Sequence, residues 1–154
     1  MHNINLIITF LLFIAPFTII IHEIGHMAGA IIVKADNVHL SIGQGKKVFT
    51  VSLRKLVIHI HAIFFMGGQA TSKREKPYGP MDILLITISG PLMNVFLASA
   101  IYFLFKVHSS DYILLFILFN LWIGLGNLIP FKIREKYSDG YIIFHTLINY
   151  DKIR

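Results

Sequence analysis

The sequence predicts an all-α polytopic membrane protein with three transmembrane helices and a small β-hairpin region between the first and the second. Two observations lead to this prediction. The chain of 154 residues is 55% hydrophobic and only 14% charged, whereas soluble domains carry about 25% charged residues. Three stretches also reach the roughly 20 apolar residues that a helix needs to cross a bilayer. The length fits one domain over residues 1–154.

The predicted elements follow one another in a simple order. They are a helix over 4–33, a strand-rich loop over 34–80, a helix over 81–107, a helix over 112–130 and a C-terminal segment over 131–154. Glu23 is the only charged residue of the first stretch. We interpret that stretch as a retained helix and not as a signal peptide, because no Lys or Arg precedes it and apolar residues continue past its centre.

The loop after the first helix has a different pattern. Val38–Ile42 and Val48–Leu53 alternate with a period of two, which predicts strands. The glycines and lysines of Gly43–Lys47 predict the turn between them. A third strand is predicted over Leu56–Phe65, ending at Gly67-Gly68.

The distribution of basic residues predicts the orientation and excludes one class of partner. Eight of the fourteen Lys and Arg lie in the 34–80 loop and five lie in the C-terminal segment. The positive-inside rule therefore places the loop and the C-terminus in the cytoplasm and the N-terminus outside. Because the basic residues flank the apolar stretches, we expect the lipid bilayer, and no nucleic acid, as a partner.

The first helix contains the most informative motif, His22-Glu23-Ile24-Gly25-His26. A spacing of four places His22 and His26 on one helical face, where both imidazoles can reach one Zn²⁺. Glu23 lies beside them, where it can accept a proton from the attacking water. Ionisable side chains inside a transmembrane segment are costly and indicate function. The sequence therefore predicts a single zinc site.

A catalytic zinc needs a third protein ligand, and the chain has no cysteine. Asp139 is the best candidate, and Glu135 and Asp151 are alternatives in more ordinary charged surroundings. Asp139 also suits a purely structural role as the N-cap of a short helix.

Three motifs together resemble the site-2 protease family of intramembrane zinc metalloproteases. They are the HEIGH helix, Ser89-Gly90-Pro91-Leu92-Met93-Asn94, and Asn127-Leu128-Ile129-Pro130 followed by Asp139-Gly140. They occur in family order on three successive predicted helices, which is far more specific than HExxH alone. The length of the chain is similar to the minimal bacterial members, which implies a multi-pass protein of a bacterial cell membrane.

The resemblance implies an activity and a set of site residues. It implies one zinc held by His22, His26 and Asp139, with Glu23 as the catalytic acid and base, and cleavage of a membrane-embedded protein or peptide near the cytoplasmic face. It also implies that the strand-rich loop is a membrane-associated β-hairpin. Residues expected to support the active site are Asn94, Asn127, Gly90, Pro91 and Pro130. Any regulatory membrane partner and the substrate itself are not specified.

Several alternatives stay open at this stage. Asp139 lies nine residues after Pro130, a longer spacing than is common in the family, so Glu135 remains a candidate ligand. Asn94 and Asn127 could serve only as helix–helix hydrogen-bond partners. The same polar cluster could also belong to a small transporter or to a catalytically inactive relative that binds a membrane partner.

One further pair of histidines has two interpretations. His59 and His61 lie two residues apart on one strand face and could hold a second metal. A half-exposed strand explains them equally well.

Overall fold

The computed structural model describes residues 2–106 and 110–150. In chain order the elements are α1 (His2–Thr9), a π-helical turn (Phe10–Ile14), α2 (Ala15–Ile32), β1 (Asn37–Leu53), β2 (Leu56–Lys73), α3 (Pro80–Phe105), α4 (Asp111–Asn127), β3 (Lys132–Ile133), β4 (Lys136–Tyr137) and α5 (Asp139–Ile148). Asp151, one of the alternative ligands, lies outside the described residues.

The predicted fold class, an all-α protein with three transmembrane helices, is wrong. The protein is 58% helix and 27% strand, with a long antiparallel pair of strands. Within the described residues, two helices are long and apolar enough to span a membrane, Asn3–Ile32 and Pro80–Phe103. α4 has 17 residues, or about 26 Å at 1.5 Å per residue, which is shorter than the roughly 30 Å hydrocarbon core. It stops before Pro130, because the residue that precedes a proline disfavours helical backbone.

The sheet is larger than predicted because glycines continue the strands where the sequence predicted breaks. β1 and β2 have 17 and 18 residues, and the connection between them lies at Arg54-Lys55. Gly43, Gly45 and Gly67 adopt positive φ within the strands, a conformation that produces irregularities and bends without ending the pairing. Residues 38–42 consequently pair twice, with 68–72 on one edge and with 56–60 on the other.

α2 and α3 approach each other closely through glycines. A Cβ on Gly25 would lie 2.9 Å from the Cβ of Met93, and a Cβ on Gly29 would lie 2.9 Å from the Cα of Ile86. Gly90 faces the His26 ring so closely that any side chain there would overlap it. The glycines therefore bring the histidine face of α2 directly against α3.

A small excursion of the chain accounts for the long spacing between Pro130 and Asp139. β3 and β4, which have two residues each, form a hairpin in which Lys132 pairs with Tyr137. The hairpin leaves and returns to the same place, because Ser138 N donates to Phe131 O at 3.0 Å. Ser138 Oγ also donates to Ile129 O at 2.8 Å and accepts from Phe131 N at 2.9 Å. The added residues project outward, and Asp139 starts α5 close to the end of α4.

Candidate metal centre

Three side chains from two distant parts of the chain converge at one point. His22 and His26 lie on one face of α2, and Asp139 comes from the first turn of α5. His22 Nε2 lies 3.0 Å from Asp139 Oδ2 and 3.1 Å from His26 Nε2. His26 Nε2 lies 3.4 Å from Asp139 Oδ1. Among the described residues this is the one group of three or more His, Cys, Asp or Glu whose ligand atoms meet closely enough to hold a metal ion.

The separations between the donor atoms fit a tetrahedral zinc. Zn–N and Zn–O bonds of about 2.0–2.1 Å at a tetrahedral angle place neighbouring donors about 3.3 Å apart. The observed separations, which involve both oxygens of Asp139, lie between 3.0 and 3.4 Å. One ligand atom from each residue lies within 4.8 Å of the other two, which is close enough to hold a metal ion.

The hydrogen bonds of the two imidazoles leave their Nε2 atoms free to bind a metal. His22 Nδ1 donates to Asn94 Oδ1 at 2.7 Å, and His26 Nδ1 donates to Ile86 O at 2.9 Å. In a neutral imidazole with a proton on Nδ1, Nε2 carries a lone pair. Two such lone pairs and a carboxylate then face one another, an arrangement that requires a cation, a proton or a metal ion, between them.

The carboxylate of Asp139 is already in the ionic form that a metal ligand needs. Burial raises the pKa of Asp139, but the hydrogen bonds and positive charges of His22 and His26, when a proton and not a metal ion lies between the three groups, outweigh this effect and hold the pKa below its ordinary value. The side chain is only 12% exposed. A negative, poorly solvated site of this kind favours a cation.

Asp139 is not the helix cap that the sequence left open as an alternative. Ser138 occupies the N-cap of α5, and its Oγ accepts from Tyr141 N at 3.1 Å. Asp139 is the first residue inside the helix, so its carboxylate is available to the histidines. The hydroxyl of Ser138 thus satisfies the helix end that Asp139 would otherwise cap.

Glu23 lies next to this group and is held by the sheet. Its Oε2 accepts a hydrogen bond from Ala70 N of β2 at 2.6 Å. A Cβ on Gly68 would lie 2.9 Å from Glu23 Cγ, so the absence of a side chain there makes room for the carboxylate. The backbone N–H fixes one oxygen and so orients the carboxylate group as a whole.

Two of the five residues predicted to support the active site lie directly against the metal-binding histidines. Asn94 contacts His22 directly, and Gly90 faces His26. Asn127 donates to Ile123 O of its own helix, which is ordinary back-bonding. Pro91 is buried, and its carbonyl oxygen would lie 2.9 Å from a Cβ placed on Gly124 in α4. Pro130 is exposed.

The alternative ligands and the second histidine pair lie elsewhere. Glu135 is exposed in the turn between β3 and β4 and does not belong to the metal-binding group. His59 Nδ1 bonds Thr50 Oγ1, and His61 Nδ1 donates to Ile42 O. In the described part of the chain, this pair forms no group of three ligand atoms that could hold a second metal.

Sequence reasoning missed two polar residues behind the site, Thr18 and Asn120. Both are fully buried, and both join a hydrogen-bond network with Asn94. Thr18 lies four residues before His22 and so shares its helical face. The spacing of four residues between Thr18 and His22 is the feature of the sequence that could have identified Thr18 as a neighbour of the site.

No protein-family model matches the chain, and no curated protein matches it.

Proposed function

We propose that this protein is a zinc-dependent intramembrane endopeptidase that hydrolyses a peptide bond in or near a transmembrane segment of a membrane-bound protein or peptide precursor. The observation that carries the proposal is that Asp139 of α5 meets His22 and His26 of an apolar helix, beside Glu23 of the same helix. The resemblance of the three motifs to site-2 proteases supports the same activity. A set of nitrogen and oxygen donors in near-tetrahedral spacing favours zinc.

The exposure of the apolar helices supports a location in the membrane. In the apolar 18-residue segment of Asn3–Ile32, only 17% is buried inside the protein. In the corresponding segment of Pro80–Phe103, 28% is buried. Large side chains on the outer surface, such as Phe96, Phe103 and Trp122, are about 70% exposed. An aqueous environment disfavours so much contiguous apolar surface, whereas lipid solvates it.

The position of the site along the first helix supports cleavage near one face of the membrane. His22 and His26 lie ten and six residues before the end of α2 at Ile32, or about 15 and 9 Å from it. The sheet and its basic residues follow at that end. By the positive-inside rule this face is cytoplasmic, with the N-terminus outside and the C-terminal helix, which carries Asp139, at the cytoplasmic side.

The chain's own residues supply the remaining chemistry. When bound, zinc polarises a carbonyl and lowers the pKa of water toward about 7. His22, His26 and Asp139 would hold the ion. Glu23, oriented by Ala70 N, accepts the proton of the attacking water and delivers it to the leaving amine. The substrate helix must unwind locally, because its carbonyls are otherwise engaged in helical hydrogen bonds.

The proposal is tested with purified protein in detergent micelles. A panel of single-span membrane proteins is incubated with the wild-type protein and with Glu23→Gln, and new N-termini are identified by mass spectrometry. We expect zinc-dependent cleavage within an apolar segment by the wild-type protein and none by the variant. Glu135→Gln, which makes the same chemical change at an exposed position, is the matched control and should cleave normally.

The alternatives predict different results. A transporter or an inactive binding relative retains its zinc and hydrolyses nothing, even with every panel member at saturating concentration. Cleavage that persists in Glu23→Gln would assign the chemistry to another residue. Either result contradicts the proposal.

A further inference from the structure

A buried network of amide and hydroxyl groups connects α4 to the metal centre. Asn94 Nδ2 donates to Thr18 O at 3.1 Å and to Asn120 Oδ1 at 2.9 Å. Asn120 Nδ2 donates to Thr18 Oγ1 at 3.0 Å and to Phe116 O at 2.9 Å. Thr18, Asn94 and Asn120 are 0% exposed, so water does not compete for these bonds.

The network has a fixed direction because backbone carbonyls only accept hydrogen bonds. Phe116 O requires the nitrogen of the Asn120 amide, so Asn120 Oδ1 faces Asn94. Thr18 O and Asn120 Oδ1 both require the nitrogen of the Asn94 amide, so Asn94 Oδ1 faces His22. A flip of the Asn94 amide would place acceptors against acceptors at fully buried positions, which is costly.

The fixed direction determines which nitrogen of His22 carries the proton. Asn94 Oδ1 is an acceptor, so His22 Nδ1 must donate, and Nε2 keeps its lone pair toward Asp139 and His26. His26 obtains the same tautomer from a backbone carbonyl, Ile86 O. Only the His22 tautomer therefore depends on side chains that a substitution can remove.

We propose that Asn120 and Thr18 are positioning residues that, acting through Asn94, hold His22 with its Nε2 directed at the metal. This inference rests on the metal site of the proposed function. Outer partners of metal-binding histidines commonly contribute 10- to 100-fold to metal affinity. Asn120 and Thr18 extend that outer layer by one step and make α4 part of it.

The first test uses the wild-type protein, so a folding defect cannot obscure it. The protein is labelled with nitrogen-15 histidine, and the His22 signals are assigned by their absence from His22→Ala. We expect a proton on His22 Nδ1 in both metal-free and zinc-loaded protein. An unprotonated Nδ1 in either state overturns the inference.

The second test measures zinc affinity by competition with a chromophoric chelator. We expect Asn94→Leu to lower the affinity about 100-fold and Asn120→Leu about tenfold. Thr18→Val, which replaces the hydroxyl with a methyl group of similar size, should also lower it. Thr18→Ser keeps the hydroxyl and should therefore bind zinc with the affinity of the wild-type protein.

Thermal melting of the metal-free variants separates positioning from packing. If Asn120 and Thr18 had a purely structural role, Asn120→Leu and Thr18→Val would lower the melting temperature and leave the zinc affinity of the folded protein unchanged. That result would overturn the inference. If the wild-type protein binds no zinc, the proposed function fails, while the protonation of His22 Nδ1 still decides the inference.

Discussion

Replacing Asp139 with asparagine tests the candidate metal centre most directly. The carboxylate contacts both histidines and is only 12% exposed, and a neutral amide is a poor replacement for it as a metal ligand. Four-ligand structural zinc sites bind with about 10–16 kcal/mol, which is roughly 2.5–4 kcal/mol per ligand. At about 1.4 kcal/mol per factor of ten, Asp139→Asn should weaken zinc binding about 10²- to 10³-fold and nearly abolish cleavage.

The metal-free protein should keep its fold after the same substitution. Ser138, and not Asp139, caps α5, so the Asp139→Asn variant keeps the cap. It loses a charge near a helix N-terminus, about 0.3–1 kcal/mol, and the ionic contacts of Asp139 with His22 and His26. Zinc content by elemental analysis, affinity by chelator competition and thermal melting of the metal-free protein give the three measurements. Glu135→Gln serves as control, with unchanged zinc and unchanged cleavage.

One result would refute this reasoning outright. If Asp139→Asn keeps full zinc affinity and activity while Glu135→Gln loses both, the third ligand is Glu135 and the geometry of α5 is incidental. A large fall in metal-free stability for Asp139→Asn would instead assign the residue a structural role.

Three further substitutions each test a single feature of the molecule. Glu23→Gln should retain zinc and lose hydrolysis, because the role proposed for Glu23 is proton transfer and the residue lies outside the ligand group; parallel loss of zinc would contradict this role. Gly90→Ala should displace the His26 ring and lower zinc occupancy, whereas Gly126→Ala, which meets nothing within 4 Å, should not; equal zinc content in both variants would disprove the close packing. The chain has no native cysteine, so Lys47→Cys gives a single labelling site. It should react with a membrane-impermeant maleimide only after the cytoplasmic face is made accessible. Labelling in intact cells would show that the orientation is the opposite of the one proposed.

The histidine pair could be predicted from the sequence because it depends on one local rule. Residues four apart on a helix share a face, and the geometry of His22 and His26 follows from that rule without tertiary information. The approach of Asp139 depends instead on how α5 starts. A count of residues from Pro130 gave a spacing that argued against it, because the count included the β3–β4 hairpin, which returns to its starting point.

The prediction of the sheet failed for a different physical reason. The sequence of Gly43–Lys47 predicts a turn and Gly67-Gly68 predicts a break, since glycine weakens strands and favours turns. A glycine with positive φ can also bend a strand that stays paired on both sides, and long-range partners decide between the two outcomes. Residues 38–42 have such partners on both edges, so the strand continues through the bends.

The buried amides show how the polar residues of an apolar chain can be interpreted together. Thr18, Asn94 and Asn120 each look ordinary as single polar residues in apolar stretches, and the sequence separates the first from the other two by 76 and 102 residues. In a low-dielectric interior each would be costly alone, so their presence predicts that they satisfy one another or a functional group. Here they do both, because the hydrogen bonds that pair the two amides also leave one acceptor directed at His22. Burying these three polar side chains therefore has one structural result. The Nε2 lone pair of His22 faces Asp139 and His26 at distances short enough for the three groups to share a metal ion.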